Sequence, residues 1–260
     1  MIIIQPIGGL CNRMRAINSA RVLAKKRGET LKVIWNVNPE LGCPFEELFQ
    51  KTDAFSLRNI HSKWDPQKVF YQLTRMVVGN EELRANRTEQ GLPDAYLASL
   101  PKNLYIATEE HFFPCHDYSP FQPTTEIADR VNAITAGFQG HNVGIHIRRT
   151  DNKPAIGKSS TQAFIDAMQK ELSMNPSTMF YLATDDLSEE ANLRRVFPDR
   201  IISNETRDLS RDSVNGVKDA LLDLMCLSKT DKIIGSYFSS FTDIAADING
   251  IPKIVAGEEQ

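Results

Sequence analysis

The sequence predicts an α/β protein built on parallel sheets, and three observations carry that prediction. Short runs rich in branched apolar residues recur along the chain: "IIIQ", "LKVIW", "NLYIAT", "VGIHI", "TMFYLAT" and "DKIIGS". Most are continuous rather than alternating, which is the pattern of a strand covered on both faces. Segments with helical apolar spacing separate them, so strand and helix alternate as in βαβ units.

In order, "IIIQ" is the first strand and "PIGGLC" the loop behind it. A helix follows from about Asn12 to Arg27; Ala16, Ile17, Ala20, Leu23 and Ala24 form its buried stripe, and Gly28 supplies the stop. "LKVIW" is the next strand. Residues 50–100 carry a weaker signal, with one amphipathic helix over "DPQKVFYQLTRMVV". "NLYIAT" returns to strand and "TEIADRVNAITAGF" to helix. The stretch "GFQGHN" interrupts the periodicity near Gly140 and sets a boundary there, giving an N-terminal half, 1–140, and a C-terminal half, 141–260. In the second half, strand "VGIHI" leads to helix "SSTQAFIDAMQKEL", with Phe164, Ile165 and Met168 on one face. Strand "TMFYLAT", helix "LSEEANLRRVF", strand "RIISN" and helix "VNGVKDALLDLMCLS" follow, then strand "DKIIGS", helix "SSFTDIAADI" and the final "PKIVAG".

Composition limits the function classes. At 260 residues the chain can bury a sizeable core, and 24% charged with 41% hydrophobic residues is a globular composition. A formal charge of −3 argues against sequence-independent nucleic-acid binding. The opening "MIIIQPIGG" does not read as a signal peptide, and no run approaches the roughly 20 apolar residues of a transmembrane span; a cytoplasmic protein is expected. Cys11, Cys43, Cys115 and Cys226 are scattered with no CxxC, so they read as reduced thiols rather than a zinc site or disulfide framework.

Ligands of a parallel sheet collect beyond the carboxyl ends of its strands. After "VGIHI" come Arg148, Arg149, Thr150 and Asp151; after "FYLAT" come Asp185 and Asp186; after "KIIGSYF" come Ser239 and Ser240, opening a helix. Guanidinium groups and a helix start suit a phosphate. Each feature also has a plain structural use: Ser239 as a helix cap, the arginines as pairs to Asp151, the aspartates as a turn. Within "VNGVKDALLDLMCLS", Val217, Ala220, Leu221, Leu224 and Met225 form the core face, while Leu222, Cys226 and Leu227 flank Asp223. A carboxylate so placed needs a basic side chain or a polar ligand, unless the helix seam is exposed there, and a guanine base presents two parallel donors that match it. The loop "GGLCNR" lets the backbone approach a ligand through Gly8 and Gly9, though it lacks the full dinucleotide fingerprint. Arg13 and Arg15 at the start of the following helix oppose its dipole, which suggests a nearby anion or solvent exposure.

Taken together, "GIHIRRTDN", "YLATDD" and "ALLDLMCLSKTDKIIGSYFSSF" resemble the three carboxyl-half motifs of the fucosyltransferase superfamily that includes the α1,6- and α1,2-fucosyltransferases and the protein O-fucosyltransferases. "GGLCNRMRAI" is similar to their amino-terminal loop. The resemblance implies a GT-B fold of two Rossmann-like domains facing across a cleft, the first on the acceptor side and the second holding GDP-fucose. It also implies inversion at the anomeric carbon, no metal or other cofactor, and a glycan or glycoconjugate acceptor. By the same resemblance Arg148 binds the diphosphate and, with Arg149, forms the catalytic pair. His146 and Asp223 read guanine, Ser239 and Ser240 meet the phosphates, and Asp185, Gly8, Gly9 and Asn12 complete the donor contacts. Three departures stand out. "NKPAIGK" lacks the carboxylate that follows "RRTD" in α1,6-type enzymes, and Phe241 replaces a polar residue. The loop has Asn12 where some O-fucosyltransferases carry a glutamate. A module that binds a nucleotide sugar without turning it over is the competing class, and a cysteine-hydrolase set of Cys11 with Cys115–Asp117 is a third, poorly supported one.

Overall fold

The computed structural model describes residues 1–150 and 157–258. The chain divides into two compact units, Met1–Thr124 with Ser210–Lys218, and Thr125–Leu209 with Asp219–Gln260. Each contains a five-stranded sheet whose neighbouring strands are all parallel. Among the described residues no helix is long and apolar enough to cross a membrane.

In the first unit β1 (Ile2–Pro6) is followed by α1 (Leu10–Arg27), β2 (Leu31–Asn36), β3 (Ser56–Ile60), α2 (Pro66–Thr74), β4 (Met76–Val78), α3 (Asn80–Asn86), α4 (Asp94–Ser99) and β5 (Leu104–Thr108), in sheet order β3-β2-β1-β5-β4. The apolar stripe of α1 is buried, and the helix ends on Gly28 in the left-handed region at φ 61. The helix expected over residues 65–78 is shorter than its apolar pattern. It stops at Thr74, Arg75 is extended at φ −133 and ψ 154, and Met76–Val78 pair with Leu104–Ile106 as an edge strand. The β-branched Val77 and Val78 favour that outcome once a strand is available to pair with.

In the second unit α5 (Thr125–Thr135) precedes β6 (Asn142–Ile147), α6 (Thr161–Met174), β7 (Met179–Thr184), α7 (Leu187–Val196), β8 (Ile201–Ser203), α8 (Val214–Ser228), β9 (Lys232–Gly235), α9 (Ser240–Asn249) and β10 (Lys253–Val255), in order β10-β9-β6-β7-β8. The first turn of α8 falls among the residues grouped with the first unit. The break at residues 137–141 separates α5 from β6 rather than marking the joint. α5 sits in the second unit, where Arg130 pairs with Asp219 at 2.6 Å and Lys229 donates to Asn132 at 2.8 Å. Central strand β6 is buried throughout. Val143, Ile145 and Ile147 pack with Phe164, Met168, Phe180 and Leu182 on one face. Strand alternation turns Gly144 and His146 to the other. A Cβ at Gly144 would lie 2.8 Å from Leu227 Cδ2, so α8 rests directly on the strand backbone.

Candidate functional site

The second sheet reverses its strand order between β6 and β9, the place where the carboxyl ends of a parallel sheet open a crevice. Ser236, the first residue after β9, closes the base of that tip. Its backbone N–H donates to the His146 carbonyl at 3.1 Å, its hydroxyl lies 3.2 Å from the same oxygen, and it accepts from the Arg148 N–H at 3.0 Å. Arg148 is half-buried immediately beyond β6.

α9 starts beside this joint. Gly235 permits the approach, since a Cβ there would fall 2.4 Å from Thr242 side-chain atoms. Ser239 is buried and caps the helix, accepting from Thr242 N–H at 3.4 Å; Ser240 is half-buried in the first turn. Nδ1 of His146 lies 3.0 Å from the Thr242 hydroxyl and 3.2 Å from that of Ser239, and the ring stacks on Phe241 at 4.6 Å. Phe241 thus holds the imidazole flat. Burial pushes the His146 pKa down to about 3, and the positive charge of Arg148 acts in the same direction. The ring is neutral at physiological pH and offers one donor and one acceptor.

Arg149 points elsewhere. Its Nε meets Glu189 Oε1 at 2.6 Å, Nη1 donates to the Ser159 carbonyl at 3.0 Å and Nη2 to the Thr161 hydroxyl at 3.3 Å, with the guanidinium over Phe164. This places it as a structural anchor, away from the catalytic pairing with Arg148 expected from the sequence. Asp185 is likewise used by the fold: it accepts from Arg149 N–H at 2.7 Å and from the Thr150 N–H and hydroxyl at 3.3 and 2.6 Å, which fixes the first residues after β6. Asp186 caps α7 through Ser188 N–H at 2.8 Å, and the bonds from Ser188 hold its pKa below the ordinary value. Asp151, the other candidate partner of the arginines, lies outside the described residues.

Asp223 has the apolar surroundings that its flanks imply. Leu222, Cys226 and Leu227 are fully buried and Asp223 itself is 7% exposed. Its partner is neither of the kinds expected: the Tyr181 hydroxyl donates to Oδ1 at 2.6 Å. Among the described residues Oδ2 has no hydrogen-bond partner. Burial raises the Asp223 pKa to about 7, with the Tyr181 bond opposing the rise.

The pH dependence follows from sign. Between about pH 4 and 7 the folded chain holds a proton on Asp223 that the unfolded chain has lost, so this group's contribution to stability falls as pH rises. His146 acts oppositely: between about pH 3 and 6.5 the unfolded chain holds the extra proton, and stability falls as pH falls. The two slopes offset each other from about pH 4 to 6.5. Asp223→Asn, which keeps an acceptor for Tyr181, should therefore be more stable than the parent at pH 8 by roughly 1–3 kcal/mol and lose that margin by pH 4.5. Urea unfolding across pH measures it; a variant destabilised equally at all pH values would contradict the assignment.

The first unit has its own strand-end cluster. Gly8 adopts φ +79, a region that favours glycine, and its N–H donates to Glu40 at 3.2 Å. Gly9 caps α1 by backbone alone. Asn12 is half-buried and its side chain has no hydrogen-bond partner among the described residues; a Cβ at Gly8 would lie 3.2 Å from Asn12 Nδ2 and 3.4 Å from Glu109 Oε2. Arg13 has the nearby anion expected of it, the Glu40 carboxylate, but is not in solvent. It is fully buried, donating to the carbonyls of Gly8 at 2.7 Å and Asn36 at 2.6 Å and to Asn38 Oδ1 at 3.0 Å, over the Trp35 ring. That burial lowers its pKa to about 10. Three backbone and amide oxygens take up its donors, with the Glu40 charge opposing the fall in pKa, and Arg13 pins the glycine loop. Asp117 is taken up by Arg21 at 2.9 Å and by the turn at Ser119, which removes support for a hydrolase set around Cys115.

Sequence reasoning missed Ser236, Tyr181, Thr242 and Glu189. Ser236 satisfies the same rule that found Ser239, a polar residue at a strand tip. Tyr181 is legible from alternation, since its neighbours Phe180 and Leu182 face the opposite side of β7. Glu189 carries no local signal, because its partner lies 40 residues away.

No protein-family model matches the sequence, and no curated protein matches it. The fold, two units each built on a parallel sheet, is similar to that of solved fucosyltransferases. NodZ alpha-1,6-fucosyltransferase, solved after soaking with GDP-fucose, gives a TM-score of 0.68 at 17% identity, covering 95% of this chain and 92% of that one. POFUT1 in its apo form gives 0.63 at 12% identity, covering 99% and 97%. A point mutant of Arabidopsis thaliana FUT1 in complex with GDP gives 0.67 at 14% identity, over 98% of this chain and 69% of that one. At these identities the likeness is one of fold.

Proposed function

We propose that the chain is an inverting, metal-independent glycosyltransferase that takes a GDP-sugar, foremost GDP-fucose, and transfers the sugar to a glycan or glycoconjugate. The observation that carries this is the β6–β9 tip, where Arg148 begins as the central strand ends, Ser236 fixes its backbone, and α9 opens beside it with Ser239 and Ser240. NodZ was soaked with GDP-fucose and FUT1 holds GDP, which supports the same donor class here.

Departure of GDP builds negative charge on the β-phosphate while the sugar gains oxocarbenium character. Arg148 and the amino end of α9 supply positive potential to that phosphate, so they favour the transition state over the ground state. Asp223 Oδ2 accepts from the guanine edge, with neutral His146 beside the base. Arg149, Asp185 and Ser236 hold the tip in shape. The acceptor role falls to the first unit, where Glu40 and Glu109 are groups of the kind that bind sugar hydroxyls, while Asn12 keeps its donor-side assignment. Buried Cys43 and Cys226, whose thiols burial pushes up to about 12, suit a reducing cytoplasm.

Thermal unfolding with nucleotides tests this. GDP should raise Tm more than UDP or ADP at equal concentration, and Asp223→Ala should abolish the preference. Equal shifts for the three nucleotides would sink the guanine assignment. In the same preparation GDP-fucose hydrolysis should survive EDTA; no hydrolysis above background would leave only a binding module.

A further inference from the structure

We infer that the outer side of α2 and the adjoining edge strand β4 dock on the surface of an anionic lipid bilayer. This surface lies within the first unit and is independent of the nucleotide assigned to the second. Trp64 is 82% exposed, Phe70 60%, Leu73 81%, Met76 41% and Val77 46%. The core does not need them. α2 is seated by its inner side, where buried Tyr71 packs on Ile3, Ile34, Ile60 and Tyr105. Phe70 and Leu73 lie one turn apart, three residues being neighbours on a helix surface. Trp64 stands at the helix start, which Asp65 fixes by accepting from the Lys68 N–H at 3.0 Å.

Charge says what covers this face. Between residues 58 and 75 the basic residues outside the core are Arg58, Lys63 and Arg75, Lys68 being buried with its ammonium on the Lys63 carbonyl, and Asp65 is the only acid, in a chain whose formal charge is −3. Asp65 is taken up by Arg58 at 2.7 Å. Lys32 and Arg75 stand over the Tyr71 ring at 5.5 and 5.3 Å, and Lys63 is exposed beside Trp64. Protruding Trp, Phe and Leu side chains within a cationic rim match the acyl and headgroup layers of a bilayer carrying negative lipid. A second copy of the chain is the other occupant to weigh, since β4 ends its sheet. A two-fold contact there would set two rims of like charge against each other, which disfavours it.

The test is sedimentation of the full chain with phosphatidylcholine vesicles, with and without phosphatidylglycerol. Binding is expected to the mixed vesicles and to be about tenfold weaker to pure phosphatidylcholine. Trp64→Ser combined with Leu73→Ser should weaken it by about tenfold or more, with circular dichroism and Tm unchanged because both side chains are exposed. Lys63→Glu should weaken binding to the mixed vesicles alone. Absence of binding to either vesicle, or double-variant binding equal to the parent's, overturns the proposal. So does a dimer in analytical ultracentrifugation that the double variant dissolves, which would assign the face to a second copy.

Discussion

Arg148→Lys should lower kcat for GDP-fucose turnover by about 10²-fold or more while leaving the fold and most of the GDP affinity in place. Lysine keeps the charge but loses the planar fork that contacts two phosphate oxygens at once. If the guanidinium acts mainly as the leaving group gains charge, the loss falls on kcat rather than on ground-state binding. The backbone bond to Ser236 does not depend on the side chain, so the tip keeps its shape. Steady-state donor hydrolysis, run beside GDP titration, measures both quantities. Near-normal turnover would remove Arg148 from the chemistry.

Arg149→Ala should instead cost about 3–5 kcal/mol of stability, because it leaves one partner of a buried ion pair uncompensated. Arg149 and Glu189 have side chains only 10% and 11% exposed, and Glu189 Oε2 is buried without a partner among the described residues. Thr161 still donates to Glu189 at 2.6 Å, but a neutral hydroxyl does not balance the charge. Arg149→Lys should cost less, since the ammonium can still reach Glu189 while the bonds to Ser159 and Thr161 are lost. Urea unfolding gives the comparison. An Arg149→Ala protein as stable as its parent, but inactive, would return this residue to the catalytic pair.

The contrast between these neighbouring arginines shows what the sequence can reveal. Strand alternation predicts that they diverge, and Arg149 turns to the side of α6, over Phe164. Which one meets the fold depends on Glu189 in α7, and no local pattern announces that partner. The βαβ order was legible because buried parallel strands must be continuous apolar runs. It failed at Met76–Val78, where a helix-compatible pattern became a strand only because β5 was there to pair with it. The Asp223 flanks correctly signalled burial, yet the partner is Tyr181 from another element. The burial of Arg13 was not legible for the same reason: its oxygens come from Gly8, Asn36 and Asn38, which only the folded β1 and β2 ends bring together.

A crystal structure of the protein with GDP tests whether the β6–β9 tip is a GDP site. The diphosphate is expected within hydrogen-bond distance of the Arg148 guanidinium, about 3 Å, and against the first turn of α9. The guanine edge is expected on Asp223 Oδ2. GDP bound elsewhere, or seated at the tip with its diphosphate away from Arg148, would contradict that assignment.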